Sequence, residues 1–318
     1  MTGDGGSGDG RTGDLGTDAA ADRPVADRTV ADRTGEVRIV EVGPRDGLQN
    51  EHAVVPTDAK VRFIEALADA GLPVVEATSF VSPRAVPQLA DADEVLARVR
   101  RKLGVRYPVL VPNLRGVERA EAAGADAVAV FTAASETFTQ RNIGMTIAAS
   151  LDAFAPVLHR AAERGWWRRG YVSTAFACPY EGEVPTERVV EVSVALAELG
   201  CDEISIGDTI GVAHPVDVRR VVGALLEHLP PDRIALHLHD TYGRALANVE
   251  VALELGIRTF DASAGGTGGC PFAPGAPGNL ATESLCARLD ELGLTHGVDA
   301  RAVADAAAEL KASFQPAA

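Results

Sequence analysis

RIVEVGPRDGLQNE, residues 38–51, joins a β-branched run to a charged turn, and the make-up of that turn decides the fold. Arg38–Val42 reads as a strand. A doubly wound nucleotide-binding sheet wants GxGxxG or a phosphate loop after its first strand, and GPRDG is neither. A strand that runs straight into a charged turn is what a (β/α)8 barrel presents on its C-terminal rim.

Seven further runs lie outward from it: PVVEAT (73–78), YPVLV (107–111), AVAVF (127–131), GYVSTA (170–175), EISIG (203–207), IALHLH (234–239) and TFDAS (259–263). The stretches between them have helical spacing, as in Val61, Ile64, Leu67 and Ala68 or Val189, Val192, Leu196 and Leu199. Several close on glycine at a helix C-cap position, namely Gly71, Gly124, Gly200 and Gly256. Strands separated by helices pair in parallel. Eight such units over roughly 255 residues predict an α/β fold of the (β/α)8, or TIM-barrel, type, with its chemistry at the strand C-terminal ends.

The chain has 318 residues and a formal net charge of −15. Its first 34 residues hold seven Asp, four Arg and seven Gly, with the near-repeat ADRPV-ADRTV-ADRTG and almost no large apolar side chain. Such a segment cannot offset its ordering entropy, so residues 1–34 are expected to be a disordered tail and 35–318 one catalytic barrel domain. The acidic start argues against a transit peptide, and no run approaches the ~18 apolar residues of a membrane span. Four scattered cysteines, Cys178, Cys201, Cys270 and Cys286, form no disulfide scaffold or CxxC knuckle, which fits reduced thiols and a cytoplasmic location. So negative a chain disfavours nucleic acid and anionic membranes as partners.

Polar residues gather at the predicted strand ends: Arg45 and Asp46, Glu76, Asn113, Ser173, Ser205 and Asp208, His237 and His239, and, in the loop GGTGGCPFAPGAPGN (265–279), Cys270 and Asn279. His237 and His239 are two apart on one strand, so both point the same way while Leu236 and Leu238 face the helices. Taken alone, the pair serves equally well as two ligands or two hydrogen-bonded imidazoles. Oxygens from Asp46 and Asn279 turn the balance to a metal, and a mixed nitrogen and oxygen set without thiolates favours Mg²⁺ or Mn²⁺ over structural Zn²⁺.

Cys270 is the cysteine placed for chemistry; its plainer reading is a small apolar filler. Glu76, inside a barrel, needs a cationic partner, and an ion pair that orients Arg45 is its expected role. Asp208 reads either as a group supporting the site from behind or as a helix N-cap before Thr209. Trp166 and Trp167 precede the fifth run, where packing is the expected use.

VEVGPRDGLQNE (40–51), EATSFVSP (76–83), ACPYEG (177–182), SIGDTIG (205–211), HLHDTYGRALAN (237–248) and GGCPFAPGAPGNLATE (268–283) together resemble the 3-hydroxy-3-methylglutaryl-CoA lyases. The resemblance covers about residues 36–300, and residues 301–318 lack the basic closing segment the family leads one to expect. It implies that Asp46, His237, His239 and Asn279 bind the divalent metal and that Arg45 stabilises an enolate. It also implies that Cys270 carries a proton, that Glu76 and Asp208 belong to the catalytic set, and that Arg45, Gln49 and Ser205 contact substrate. Cleavage of a 3-hydroxy acyl thioester needs a base for the hydroxyl, positive charge for the thioester oxygen and an acid for C2, and these residues cover all three. The implied products are acetyl-CoA and acetoacetate, and the implied assembly is a homodimer. Lys60, Arg84, Arg115 and Arg141 are the candidate cations for the CoA phosphates. The alternatives are a lyase for a larger 3-hydroxy-3-alkyl acyl-CoA, a Claisen-type acyltransferase condensing acetyl-CoA with a 2-oxo acid, and a metal-binding barrel without turnover.

Overall fold

The computed structural model describes residues 36–49, 51, 53, 55–268 and 278–314, together with Met1. The expected tail and its boundary at residue 34 fall outside the described residues, as does Cys270. One compact unit runs over Gly35–Ala318.

The sheet is built from β1 (Arg38–Glu41), β2 (Val74–Val75), β3 (Thr78–Ser79), β4 (Val109–Leu110), β5 (Ala127–Ala133), β6 (Trp167–Ser173), β9 (Glu203–Asp208), β10 (Ile234–Leu238) and β11 (Thr259–Ala262). Its order is β2-β1-β11-β10-β9-β6-β5-β4-β3, and every pairing is parallel. β2 and β3 are two halves of one extended segment, and that segment closes the circle. Glu76 N donates to Glu41 O on one side, while Val75 N and Ala77 N donate to Arg106 O and Pro108 O on the other. The eight runs read from the sequence are thus the eight staves of a closed barrel. A short antiparallel hairpin, β7 (Ala177–Cys178) with β8 (Gly182–Glu183), sits on ACPYEG and carries no periodic signal that the sequence reading could use.

Helices α1 (Thr57–Asp69), α2 (Ala92–Arg98), α3 (Leu114–Ala122), α4 (Glu136–Ile143), α5 (Ile147–Glu163), α6 (Thr186–Glu198), α7 (Pro215–Leu226), α8 (Ala245–Glu254), α9 (Thr282–Glu291) and α10 (Ala300–Ala312) surround the barrel. Val61, Ile64, Leu67 and Ala68 of α1 are all buried in the main core, as the spacing predicts. Gly71 ends that helix at φ +100°, where a Cβ would lie 2.3 Å from Gly297 O. The Ala-rich end forms α10, whose Val303, Ala306, Ala307 and Leu310 are buried. Among the described residues, no helix is long and apolar enough to cross a membrane.

β6 starts three residues earlier than the run read from the sequence, so Trp167, Arg168 and Arg169 are strand residues. Trp167 packs on Val40, Val42 and Val74 with the Arg106 guanidinium 5.1 Å from its ring centroid, so the packing role holds. The shift matters more for Arg169. It is fully buried, and its pairs with Glu203 (2.8 Å) and Asp261 (2.5 Å) satisfy a charge that would otherwise be very costly to enclose.

Candidate active site

The turn Gly43–Gly47 follows β1 and carries Arg45 and Asp46 into the rim. Arg45 Nε and Nη2 both reach Glu76 Oε2, at 2.8 and 2.7 Å, and Nη1 reaches Asp46 Oδ1 at 2.5 Å. Tyr171 Oη donates to the same Glu76 oxygen at 3.0 Å, and the guanidinium groups of Arg45 and Arg169 lie 5.3 and 4.8 Å from its ring centroid. Glu76 Oε1 is buried with no hydrogen-bond partner among the described residues. Burial raises the Glu76 carboxyl against the pull of Arg45. Glu76 is thus ion-paired with Arg45, the partner the sequence offers it.

Across the rim, Asp46, His237 and His239 bring one ligand atom each to within 4.8 Å of one another. His237 Nδ1 meets Asp261 Oδ2 at 3.1 Å, and Nε2 lies 4.0 Å from Asp46 Oδ2. Burial would lower the His237 imidazole, but Asp261 and Asp46 hold it above its ordinary value. Burial and the neighbouring His237 push His239 down to about 4, which keeps it neutral, the form a cation needs. For Asp46 the upward push of burial is overcome by Arg45, His237 and Asn279, which hold the carboxyl well below its usual range.

Asn279 reaches this group because residues 279–281 run along the barrel's upper edge. His239 bridges Asn279, Leu280 N donates to Leu238 O, and Ser263 bridges Ala281. Asn279 Nδ2 donates to Asp46 Oδ2 at 2.9 Å and to Thr267 O at 3.2 Å, so its amide oxygen is the atom it can offer a cation. The approach depends on Gly268, at φ +101°, where a Cβ would sit 2.8 Å from that amide nitrogen. His239 Nδ1 is buried without a hydrogen-bond partner among the described residues. An ionised carboxylate, two imidazoles, an amide oxygen and an orphaned ring nitrogen suit a divalent cation, and these four residues could hold one.

Three expected site residues stand elsewhere in the arrangement. Ser205 is fully buried with Oγ donating to Asp261 Oδ2 at 3.0 Å, so it supports the partner of His237 instead of facing a substrate. Asp208 is not a helix N-cap: its two oxygens accept Val212 N and Ala213 N at 3.1 and 3.0 Å, and α7 begins only at Pro215. Burial raises its carboxyl to about 6 against those bonds, and it stands behind the rim. Asn113 caps α3 by accepting Gly116 N at 3.0 Å, which accounts for it without a site role. Gln49 is half-buried just beyond the Gly43–Gly47 turn. Of the candidate phosphate cations, Lys60 is buried and committed to Asp91 (2.7 Å), whereas Arg84, Arg115 and Arg141 are exposed. Cys201 and Cys286 are buried, their thiols pushed up to about 12 by burial.

Arg169, Tyr171, Asp261 and Glu203 complete the site from beneath, and the sequence reading passed over all four. Extending the two-residue alternation back from Tyr171 would have placed Trp167 and Arg169 on the inner face with it.

Residues 36–309 match the model of a family described as HMGL-like. The chain belongs to that family. The similarity of the HMGL-like chain to hydroxymethylglutaryl-CoA lyase, mitochondrial, of Gallus gallus is 51% identity over 85% of this chain and 90% of that protein. The crystal structure of the HMG-CoA lyase from Brucella melitensis superposes with a TM-score of 0.86 at 50% identity, covering 87% of this chain and 98% of that one. An HMG-CoA lyase from Acinetobacter baumannii, solved in complex with coenzyme A and 3-methylmalate, gives 0.84 at 38% identity over 90% and 94% of the two chains. The family match runs from before β1 into α10 and so takes in Arg45, Asp46, His237, His239 and Asn279.

Proposed function

We propose that this chain is a metal-dependent carbon–carbon lyase that cleaves 3-hydroxy-3-methylglutaryl-CoA to acetyl-CoA and acetoacetate. The observation that carries the proposal is the meeting of Asp46, His237 and His239 within 4.8 Å beside Arg45, in a chain of the HMGL-like family. Mg²⁺ or Mn²⁺ held by Asp46, His237, His239 and Asn279 would lower the pKa of the substrate's tertiary hydroxyl and fix its orientation.

The chain's own groups do the rest. Asp46 accepts the hydroxyl proton, while Asp261 at Nδ1 orients the neutral His237 ring and keeps its proton on that nitrogen. As the C2–C3 bond breaks, its electron pair moves onto the acetyl-CoA fragment as an enolate. Arg45 meets the enolate oxygen: three of its five N–H groups are committed to Glu76 and Asp46, which fixes the direction of the remaining two. Cys270 gives the proton to C2, a role supported by the resemblance in GGCPFAPGAPGN. Exposed Arg84, Arg115 and Arg141 are the cations suited to the CoA phosphates. The few, scattered cysteines support a cytoplasmic setting, and the family resemblance supports a homodimer.

Product analysis tests the reading. Purified protein given 3-hydroxy-3-methylglutaryl-CoA and Mg²⁺ is expected to release acetoacetate and acetyl-CoA in equal amounts, none after chelation, and far less in Cys270→Ala. Metal-loaded protein that leaves this substrate intact but cleaves a longer 3-alkyl homologue, or condenses acetyl-CoA with a 2-oxo acid, would overturn the substrate assignment. Unchanged turnover in Cys270→Ala would remove the cysteine from the chemistry.

A further inference from the structure

Glu41 is the last residue of β1 and is fully buried. Its Oε1 accepts Gly43 N at 2.8 Å and Ala264 N at 2.9 Å, and its Oε2 accepts Thr282 Oγ1 at 2.7 Å. Each donor belongs to a different part of the rim. Gly43 opens the turn of Arg45 and Asp46, Ala264 stands three residues beyond Asp261, and Thr282 stands three residues beyond Asn279. One carboxylate thus ties together the segments that supply both oxygen ligands and the brace of His237.

The packing leaves these segments little freedom to compensate. A Cβ at Gly43 would lie 2.6 Å from Glu41 Oε1, and one at Gly47 would lie 3.0 Å from Ser263 Oγ, so the turn is pressed directly onto residues 263–267. Asp46 and Asn279 come from opposite ends of the chain and meet at 2.9 Å across this junction. We propose that Glu41 is a positioning residue: by joining Gly43, Ala264 and Thr282 it sets the spacing of Asp46 and Asn279 and thereby the affinity of the rim for a divalent cation. The inference rests on the metal-dependent lyase reading. It concerns a residue that touches neither cation nor substrate, where loss of a supporting partner costs about 10–100-fold in affinity or activity.

The test compares the full-length wild type with Glu41→Ala, Glu41→Gln and Thr282→Val, reading the Mn²⁺ dissociation constant, kcat, KM and Tm for each. Gln keeps the shape: its carbonyl accepts both N–H groups and its amide donates to Thr282 Oγ1. Glu41→Ala is expected to lose about tenfold or more in Mn²⁺ affinity and in kcat with KM little changed, and Glu41→Gln to recover both to within about threefold. Should the Ala variant not fold, Thr282→Val, which removes one bond of the three, is expected to weaken Mn²⁺ binding by about threefold. Mn²⁺ affinity unchanged in Glu41→Ala, or in Thr282→Val where the first does not fold, overturns the inference, as does Glu41→Gln being impaired as much as Ala. Wild type that binds Mn²⁺ but leaves 3-hydroxy-3-methylglutaryl-CoA intact overturns the lyase reading alone, since the affinity comparison still decides the role of Glu41.

Discussion

Asp261 Oδ2 lies 3.1 Å from His237 Nδ1, and the same oxygen accepts Ser205 Oγ and Arg169 Nη1 at 3.0 and 3.1 Å. Burial would raise the Asp261 carboxyl, but Arg169 and His237 hold it below its ordinary value, so it stays ionised. An ionised acceptor at Nδ1 assigns the proton of neutral His237 to that nitrogen and leaves the lone pair on Nε2, the atom nearer Asp46.

Asp261→Asn should disturb that arrangement without emptying the space. The amide can present either end to the ring, and it no longer balances Arg169. We expect Mn²⁺ affinity or kcat to fall by about 10–100-fold. Titration calorimetry with Mn²⁺ and steady-state kinetics measure the two; values equal to wild type in both would show that His237 needs no orienting partner.

Arg45→Lys keeps a positive charge and loses the fork. Lys cannot hold Glu76 through two nitrogens and Asp46 through a third while still aiming donors at an enolate. The expected loss is about 10²–10³ in kcat, the range seen when one such donor is removed, with a much smaller change in KM. A rise in KM at constant kcat would mean that Arg45 binds the ground state and the transition state alike.

Cation binding should be visible without turnover. A ligand that binds only the folded chain adds about 2.7 kcal/mol at a hundred times its dissociation constant. Mg²⁺ or Mn²⁺ is therefore expected to raise Tm by several degrees, EDTA to reverse the rise, and His239→Ala to abolish it. An equal rise in His239→Ala would place the cation somewhere other than on Asp46, His237 and His239.

The barrel was legible because its eight β-branched runs and intervening helical faces obey two different periods, and the rim because Arg45, Asp46, His237 and His239 sit at the ends of those runs. The layer beneath was not. Glu203 opens β9 and Asp261 stands inside β11, where an acidic residue looks like a flaw in an apolar run until its partner is known. That partner, Arg169, lies one residue before the run read as a strand, so the pairing that makes all three tolerable comes into view only when the alternation is carried back from Tyr171. Ser205 was given the wrong neighbour and Asp208 was left between two readings, because position at a strand end does not say whether a side chain meets solvent or another strand.

Glu41 gives the clearest dependence on pH. Burial raises its carboxyl from 4.5 to about 7, against the lowering effect of Thr282, Ala264 and Gly43, and the charge of Glu283 adds to the rise. A carboxyl raised in the folded state favours folding while it is protonated, so its contribution is complete below about pH 4.5 and is lost as pH climbs through about 7. The shift corresponds to roughly 3 kcal/mol between those limits. Glu41→Gln keeps the hydrogen bonds but cannot ionise, and Glu283, present in both proteins, cancels in the comparison. The Tm of Glu41→Gln minus that of wild type, measured in chelator, is therefore expected to widen by about 5 °C or more from pH 5 to pH 8. A difference that stays flat or narrows over that interval would mean that Glu41 is ionised throughout, held by its three donors more firmly than burial opposes.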